Sequence, residues 1–111
     1  MVAVQAEVLD RAYGALADPT RRAILMRLAE KEARISDLAE PLPMSFAGVS
    51  RHVGVLEAAG LIEREIRGRE HWLSLRSDAL ESAEQWLHNQ REFWAIRADA
   101  LAARLEQRES R

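Results

Sequence analysis

The stretch "MSFAGVSRHVGVLEAAGLIE", residues 44–63, decides the fold. Ser45 stands where an N-cap accepts backbone N–H bonds and Gly60 where a helix stops, so the spacing predicts a helix over about 45–59. At ~100° per residue, Val49, Val53 and Leu56 fall on one side, and Ala47, Ser50, Arg51 and Gly54 on the other. Two interior glycines, Gly48 and Gly54, each weaken a helix by roughly 0.5–1 kcal/mol relative to alanine. A small, flat outward face carrying one hydroxyl and one arginine suits a helix that enters a DNA major groove, where Arg51 reaches a base edge or a phosphate. The alternative is an ordinary solvated helix that tolerates its glycines.

The flanking segments bear on that choice. Upstream, "RISDLAEPLP" (34–43) offers Ser36 as an N-cap with Asp37 at the positive helix end, and Pro41 and Pro43 keep the helix short. Two short helices joined by a tight turn form a helix-turn-helix over about 36–59. Downstream, "LIEREI" and "HWLSL" flank "RGRE", and pairing them about Gly68 and Arg69 sets Ile62 opposite Leu75 and Ile66 opposite His71. The resulting hairpin, about 61–75, is a wing with Arg67 and Arg69 at its tip. Farther upstream, "ADPTRRAILMRLAE" (17–30) has Asp18 as N-cap, Pro19 at the first helical position, and Ile24, Leu25 and Leu28 as its buried face.

The chain's two ends read as helices of about 4–16 and 78–107. The first presents Val8, Leu9, Ala12 and Leu16 on one side; the last, capped by Ser77, reaches ~45 Å, too long for one small domain. Leu80, Leu87, Trp94 and Leu101 recur every seven residues, with Trp86, Phe93 and Ala100 in the adjacent row. The surplus apolar stripe predicts a homodimer interface of Val8, Leu9, Ala12, Trp86, Leu87, Phe93, Trp94 and Leu101. In the alternative, the tail folds back over its own core. The fold class is therefore mainly α with a small β-hairpin: one winged helix-turn-helix domain, α-α-α-α-β-β-α, spanning 1–111.

Bulk properties narrow the function. A chain of 111 residues suits one domain, and its lack of cysteine excludes disulfides and thiolate metal sites within the chain. No apolar run approaches the ~20 residues of a membrane span, so a cytoplasmic location is expected. The formal net charge is −2, so a nucleic-acid role must rest on where the charges sit. Residues 44–76 carry five arginines against four glutamates, whereas 77–111 carry five arginines against seven acids. The central region is weakly basic and the tail acidic. No nucleophile elbow, phosphate-cradling glycine loop or clustered acid-base set is present, which argues against an enzyme.

The segments "ALADPTRRAIL", "ISDLAE", "MSFAGVSRHVGVLEAAGLI" and "RGREHWLSL" occur in that order, and over residues 13–75 the chain resembles the ArsR/SmtB-type winged-helix repressors. The resemblance implies a homodimeric repressor of an inverted-repeat operator, acting at its own promoter, with the terminal helices as the dimer interface. By matching position it places Ser45, Phe46, Ala47, Ser50, Arg51 and His52 at the DNA. Pro43 stands where the family usually has glycine, and Phe46 where a polar residue is common; Phe46 either touches a thymine methyl or closes over the core. Thiolate-sensing members carry Cys-x-Cys where Arg34 and Ser36 stand here, so that sensor is absent.

A zinc site on the last helix would have only His88, with Glu84 and Glu92 one turn either side, and would need ligands from two chains. The expected reading is a solvated row, with no metal and no cofactor; a zinc-responsive repressor is the alternative. His52 is expected to bond a phosphate or an internal partner, His71 to pack in the wing, and Arg21 and Arg22 to form surface ion pairs. Glu63, Glu65 and Glu70 on the wing keep open a winged helix that docks protein instead of DNA.

Overall fold

The computed structural model describes residues 2–109, in the order α1 (Val2–Leu16), α2 (Pro19–Leu28), β1 (Ala33–Arg34), α3 (Ile35–Ala39), α4 (Phe46–Ala58), β2 (Ile62–Arg67), β3 (Glu70–Leu75) and α5 (Asp78–Glu109). Helix starts follow local chemistry. The Asp18 carboxylate accepts the Arg21 backbone N–H at 3.0 Å just ahead of Pro19, and Ser45 Oγ accepts the Gly48 N–H at 3.1 Å. The third helix departs from expectation. Its N-cap is Arg34 and not Ser36, because the Asp37 carboxylate reaches back to accept the Arg34 N–H at 3.0 Å and starts the helix earlier.

β2 and β3 pair antiparallel with Ile62 opposite Leu75 and Ile66 opposite His71, the register that their alternation requires. Gly60 (φ +74°) and Gly68 (φ +64°) occupy the left-handed region that ends α4 and turns the hairpin. The sheet has a third strand that periodicity does not reveal. Ala33 and Arg34 pair with Leu73 and Trp72, so β3 is central and the order is β1-β3-β2.

The core lies between the helices and this sheet. Ile24, Leu25 and Leu28 of α2 meet Ile35 and Leu38 of α3, Val49, Val53 and Leu56 of α4, and Leu61, Ile62 and Leu73 beside or within the wing. Each large side chain so covered contributes about 1.5–3 kcal/mol. Arg21 and Arg22 form no ion pair among the described residues; they close α1. Arg21 donates to the carbonyls of Ala15 (2.8 Å) and Gly14 (3.0 Å), and Arg22 to that of Leu16 (2.7 Å), groups that a helix C-terminus leaves without partners.

α1 lies against the start of α5, where the Tyr13 hydroxyl donates to the Ala83 carbonyl at 3.0 Å and its ring meets Trp86 edge-on with centroids 6.1 Å apart. Ala12 is fully buried within the chain, so it is not available to a partner; its small side chain lets the two helices approach. Beyond Ala83 no residue of α5 is buried, and the uninterrupted helix draws the molecule out to 75 × 33 × 21 Å. The tail does not fold back.

Candidate nucleic-acid interface

α4 is held by its apolar triad, so its opposite face is fixed outward. Ala47 and Arg51 are exposed, Ser50 is half-buried, and Arg51 makes no hydrogen bond or ion pair among the described residues. The two glycines have different causes. A Cβ on Gly48 would crowd Ser45 Oγ at 3.3 Å, so the N-cap explains that glycine, whereas a Cβ on Gly54 would meet nothing within 4 Å. Only Gly54 is left for an outside molecule to explain. Phe46 is 57% exposed and lines a cleft instead of closing over the core.

That cleft, about 320 Å³, runs between α3, α4 and the wing, and is lined by Arg34, Ile35, Ser36, Phe46, Ser50, Arg64, Arg69 and His71. Arg69, at the wing tip, is exposed and unpaired among the described residues. Arg64 links helix to wing: its Nε and Nη2 donate to the Glu57 carboxylate at 3.2 and 3.1 Å, and its Nη1 to His71 Nδ1 at 3.0 Å. His71 is thus half-buried and hydrogen-bonded as well as packed. Sequence reading missed Arg64, although an arginine on the same strand face as Ile62 and Ile66 is a signal of an inward-turned charge.

Arg67 is paired within the chain. It donates to both oxygens of Glu32 (2.9 and 3.0 Å) and to Glu65 (3.0 Å), and its guanidinium stacks over Trp72 at 5.1 Å. Arg34 lies over the same ring at 5.6 Å, bonded to Asp37 at 3.0 Å and to Glu70 at 2.6 Å. Trp72 therefore sits beside two cations that tie the wing to α3 and to the segment before β1. Hydrogen bonds from Arg67 hold the Glu32 carboxyl below its usual range, and those from the Arg34 side chain and N–H do the same for Asp37. Their arginines are raised in turn.

His52 also turns inward. Its Nδ1 lies 3.3 Å from Arg21 Nη1 and 4.0 Å from the Asp18 carboxylate, whose own acidity is increased chiefly by the Arg21 backbone N–H. On α5, His88 Nε2 lies 3.3 Å from the Glu92 carboxylate, and no three His, Asp or Glu side chains converge among the described residues. The predicted seam is exposed along that helix: Leu87 53%, Phe93 52%, Trp94 65% and Leu101 59%. Trp86 is half covered by Tyr13; Val8 and Leu9 border a groove between α1 and α5.

Residues 16–65 match the model of a helix-turn-helix domain. The transcriptional repressor SdpR of Bacillus subtilis (strain 168) is 30% identical over 73% of this chain and 90% of its own length. A solved ArsR-like transcriptional regulator from Rhodococcus sp. RHA1 is 30% identical, covering 86% of this chain and 91% of that one, with a TM-score of 0.78. The chain belongs to the ArsR family of winged-helix transcriptional regulators.

Within the ArsR family, the HTH-type transcriptional regulator Rv2034 of Mycobacterium tuberculosis (strain ATCC 25618 / H37Rv) is 51% identical over 48% of this chain; the match spans half the length of that relative. ArsR-family chains are regulators and not an enzyme family. Among the described residues, no helix is long and apolar enough to cross a membrane.

Proposed function

We propose that this ArsR-family chain is a homodimeric repressor that lays α4 in the major groove of an inverted-repeat operator. The observation that carries the reading is the pairing pattern of the arginines. Arg34, Arg64 and Arg67 are tied to carboxylates, whereas Arg51 on the outward face of α4 and Arg69, which lines the cleft at the wing tip, remain open. Two open cations about an apolar-and-hydroxyl face match a groove flanked by phosphates. Ser45, Phe46, Ala47 and Ser50 supply the close surface, with Gly54 leaving room for a sugar-phosphate backbone. Arg67 and His52 are assigned to the scaffold.

The dimer follows from α5. A helix with Trp94, Leu101 and Leu105 more than half exposed carries more apolar surface than one small domain covers, and a twofold axis through α1 and α5 buries the same patch twice. Two α4 helices then stand about one DNA turn, ~34 Å, apart. The rival reading, a wing that docks protein through its glutamates, loses support because Glu65 and Glu70 are engaged by Arg67 and Arg34. Binding of a random-sequence duplex and of a duplex selected from a random pool, each followed by fluorescence anisotropy over a range of salt, tests the proposal. Tighter binding of the selected duplex, weakening steeply with salt, supports it; salt-independent or absent binding refutes it.

A further inference from the structure

Three helices meet at one guanidinium. Arg21, in the first turn of α2, donates from Nε to the Ala15 carbonyl at 2.8 Å and from Nη2 to the Gly14 carbonyl at 3.0 Å, both at the end of α1. From Nη1 it reaches His52 Nδ1 on α4 at 3.3 Å. A guanidinium has no acceptor, so in this contact His52 Nδ1 accepts, the arrangement of the tautomer that carries its proton on Nε2. The Asp18 carboxylate, fixed by the Arg21 backbone N–H at 3.0 Å, stands 4.0 Å from the same ring nitrogen. The joint is half-buried, and the planar fork serves its acceptors in one geometry that a lysine cannot reproduce.

We infer that Arg21 and His52 are positioning residues that set the rotation of α4 against α1 and so aim Arg51. The inference rests on the reading of α4 as the groove helix. Val49, Val53 and Leu56 turn one face of α4 into the core, but apolar contact is non-directional and sets the helix rotation only to within the tolerance of side-chain packing. His52 lies between the buried and outward faces, next in sequence to Arg51, so its directional bond fixes that rotation. A turn of about 10° displaces a side-chain tip ~8 Å from the axis by about 1.4 Å, enough to lose a bidentate base contact. Because the other two acceptors belong to α1, the joint ties the aim of the reading helix to the helix that borders the proposed dimer face.

The test compares wild type with His52→Asn, His52→Leu and Arg21→Lys, using the duplex that wild type selects and an unrelated one. His52→Asn, whose side-chain oxygen can take the place of Nδ1, keeps affinity for the selected duplex within about threefold; His52→Leu and Arg21→Lys lower it about tenfold. Affinity for the unrelated duplex and the salt slope stay at the wild-type values for all three. Equal losses on both duplexes with a slope shallower by about 0.9 in His52→Leu would mean that His52 holds a phosphate itself, and would overturn the inference.

The joint is also read in the DNA-free protein. In ¹H–¹⁵N spectra, His52→Asn leaves the amide signals of residues 14–16 in place and Arg21→Lys moves them together with those of α4. Shifts confined to the neighbours of each substituted residue refute the coupling. If wild type selects no duplex, the groove reading fails while these spectra still decide the joint, and if His52→Leu does not fold, the other two variants carry both arms.

Discussion

Replacing Trp94 by glutamate should convert the dimer to a monomer. Trp94 is 65% exposed in the single chain, and a tryptophan side chain presents ~200–250 Å² to solvent, so a partner that covers it removes about 150 Å² from water. At ~25 cal/mol per Å² this is about 4 kcal/mol per chain, incurred twice across a twofold axis. Even if half of that is realised, the dissociation constant rises about a thousandfold, before any cost of burying a carboxylate is added. Sedimentation velocity at micromolar concentration reads the result against a chain mass of 12.6 kDa. Ala95→Glu is the control: Ala95 is exposed but lies on the side of the helix that carries His88 and Glu92, away from both apolar rows. The variant should remain a dimer. Both variants should keep the helix content of wild type, since neither side chain is in the core. A wild-type monomer at these concentrations, or equal disruption by both substitutions, would refute the seam.

Other predictions follow from the pairing pattern and the backbone. Arg69→Ala should reduce the slope of log affinity against log salt by about 0.9, whereas Arg67→Ala should leave the slope unchanged and lower the unfolding temperature; the reverse result would return Arg67 to the DNA. Asp37→Asn and Glu32→Gln should be less stable than wild type at pH 7. Because both carboxyls are depressed in the folded state, that difference is complete above their ordinary values of 3.8 and 4.5 and vanishes as pH falls through the folded values. Denaturant unfolding across that range checks it, and a difference that persists at the lowest pH contradicts the pairing. Gly60→Ala should destabilise by about 1–2 kcal/mol because its φ of +74° disfavours a Cβ, while Gly54→Ala should stabilise by about 0.5–1 kcal/mol, both read from thermal unfolding.

What the sequence discloses is what is local or periodic. Asp18 with Pro19, Ser45, the Val49-Val53-Leu56 triad and the Ile62-to-Leu75 register all follow from caps, a 3.6-residue period or a 2-residue period, and the structure has each of them. A strand of two residues has no period, so Ala33 and Arg34 could not be read as one. The roles of His52 and Arg67 depend on partners 31 and 35 residues away, and that of Arg21 on carbonyls of the preceding helix; spacing within an element is silent about such pairs. Ser36 was displaced as the cap by its neighbour in the same turn: the Asp37 carboxylate, not the hydroxyl, accepts the N–H that starts the helix. Burial of Ala12 is legible only once α1 is known to lie on α5.

The central claim is that the outward face of α4 reads DNA. Its most direct test is the affinity of wild type and Arg51→Ala for the duplex enriched by wild type from a random-sequence pool. The account predicts an inverted repeat with half-site centres about 10 base pairs apart, and a loss of about 1–3 kcal/mol in Arg51→Ala on that duplex but not on one altered at the contacted base pair. No enriched sequence with wild type, or an Arg51→Ala protein that binds the enriched duplex as tightly as wild type, would contradict it.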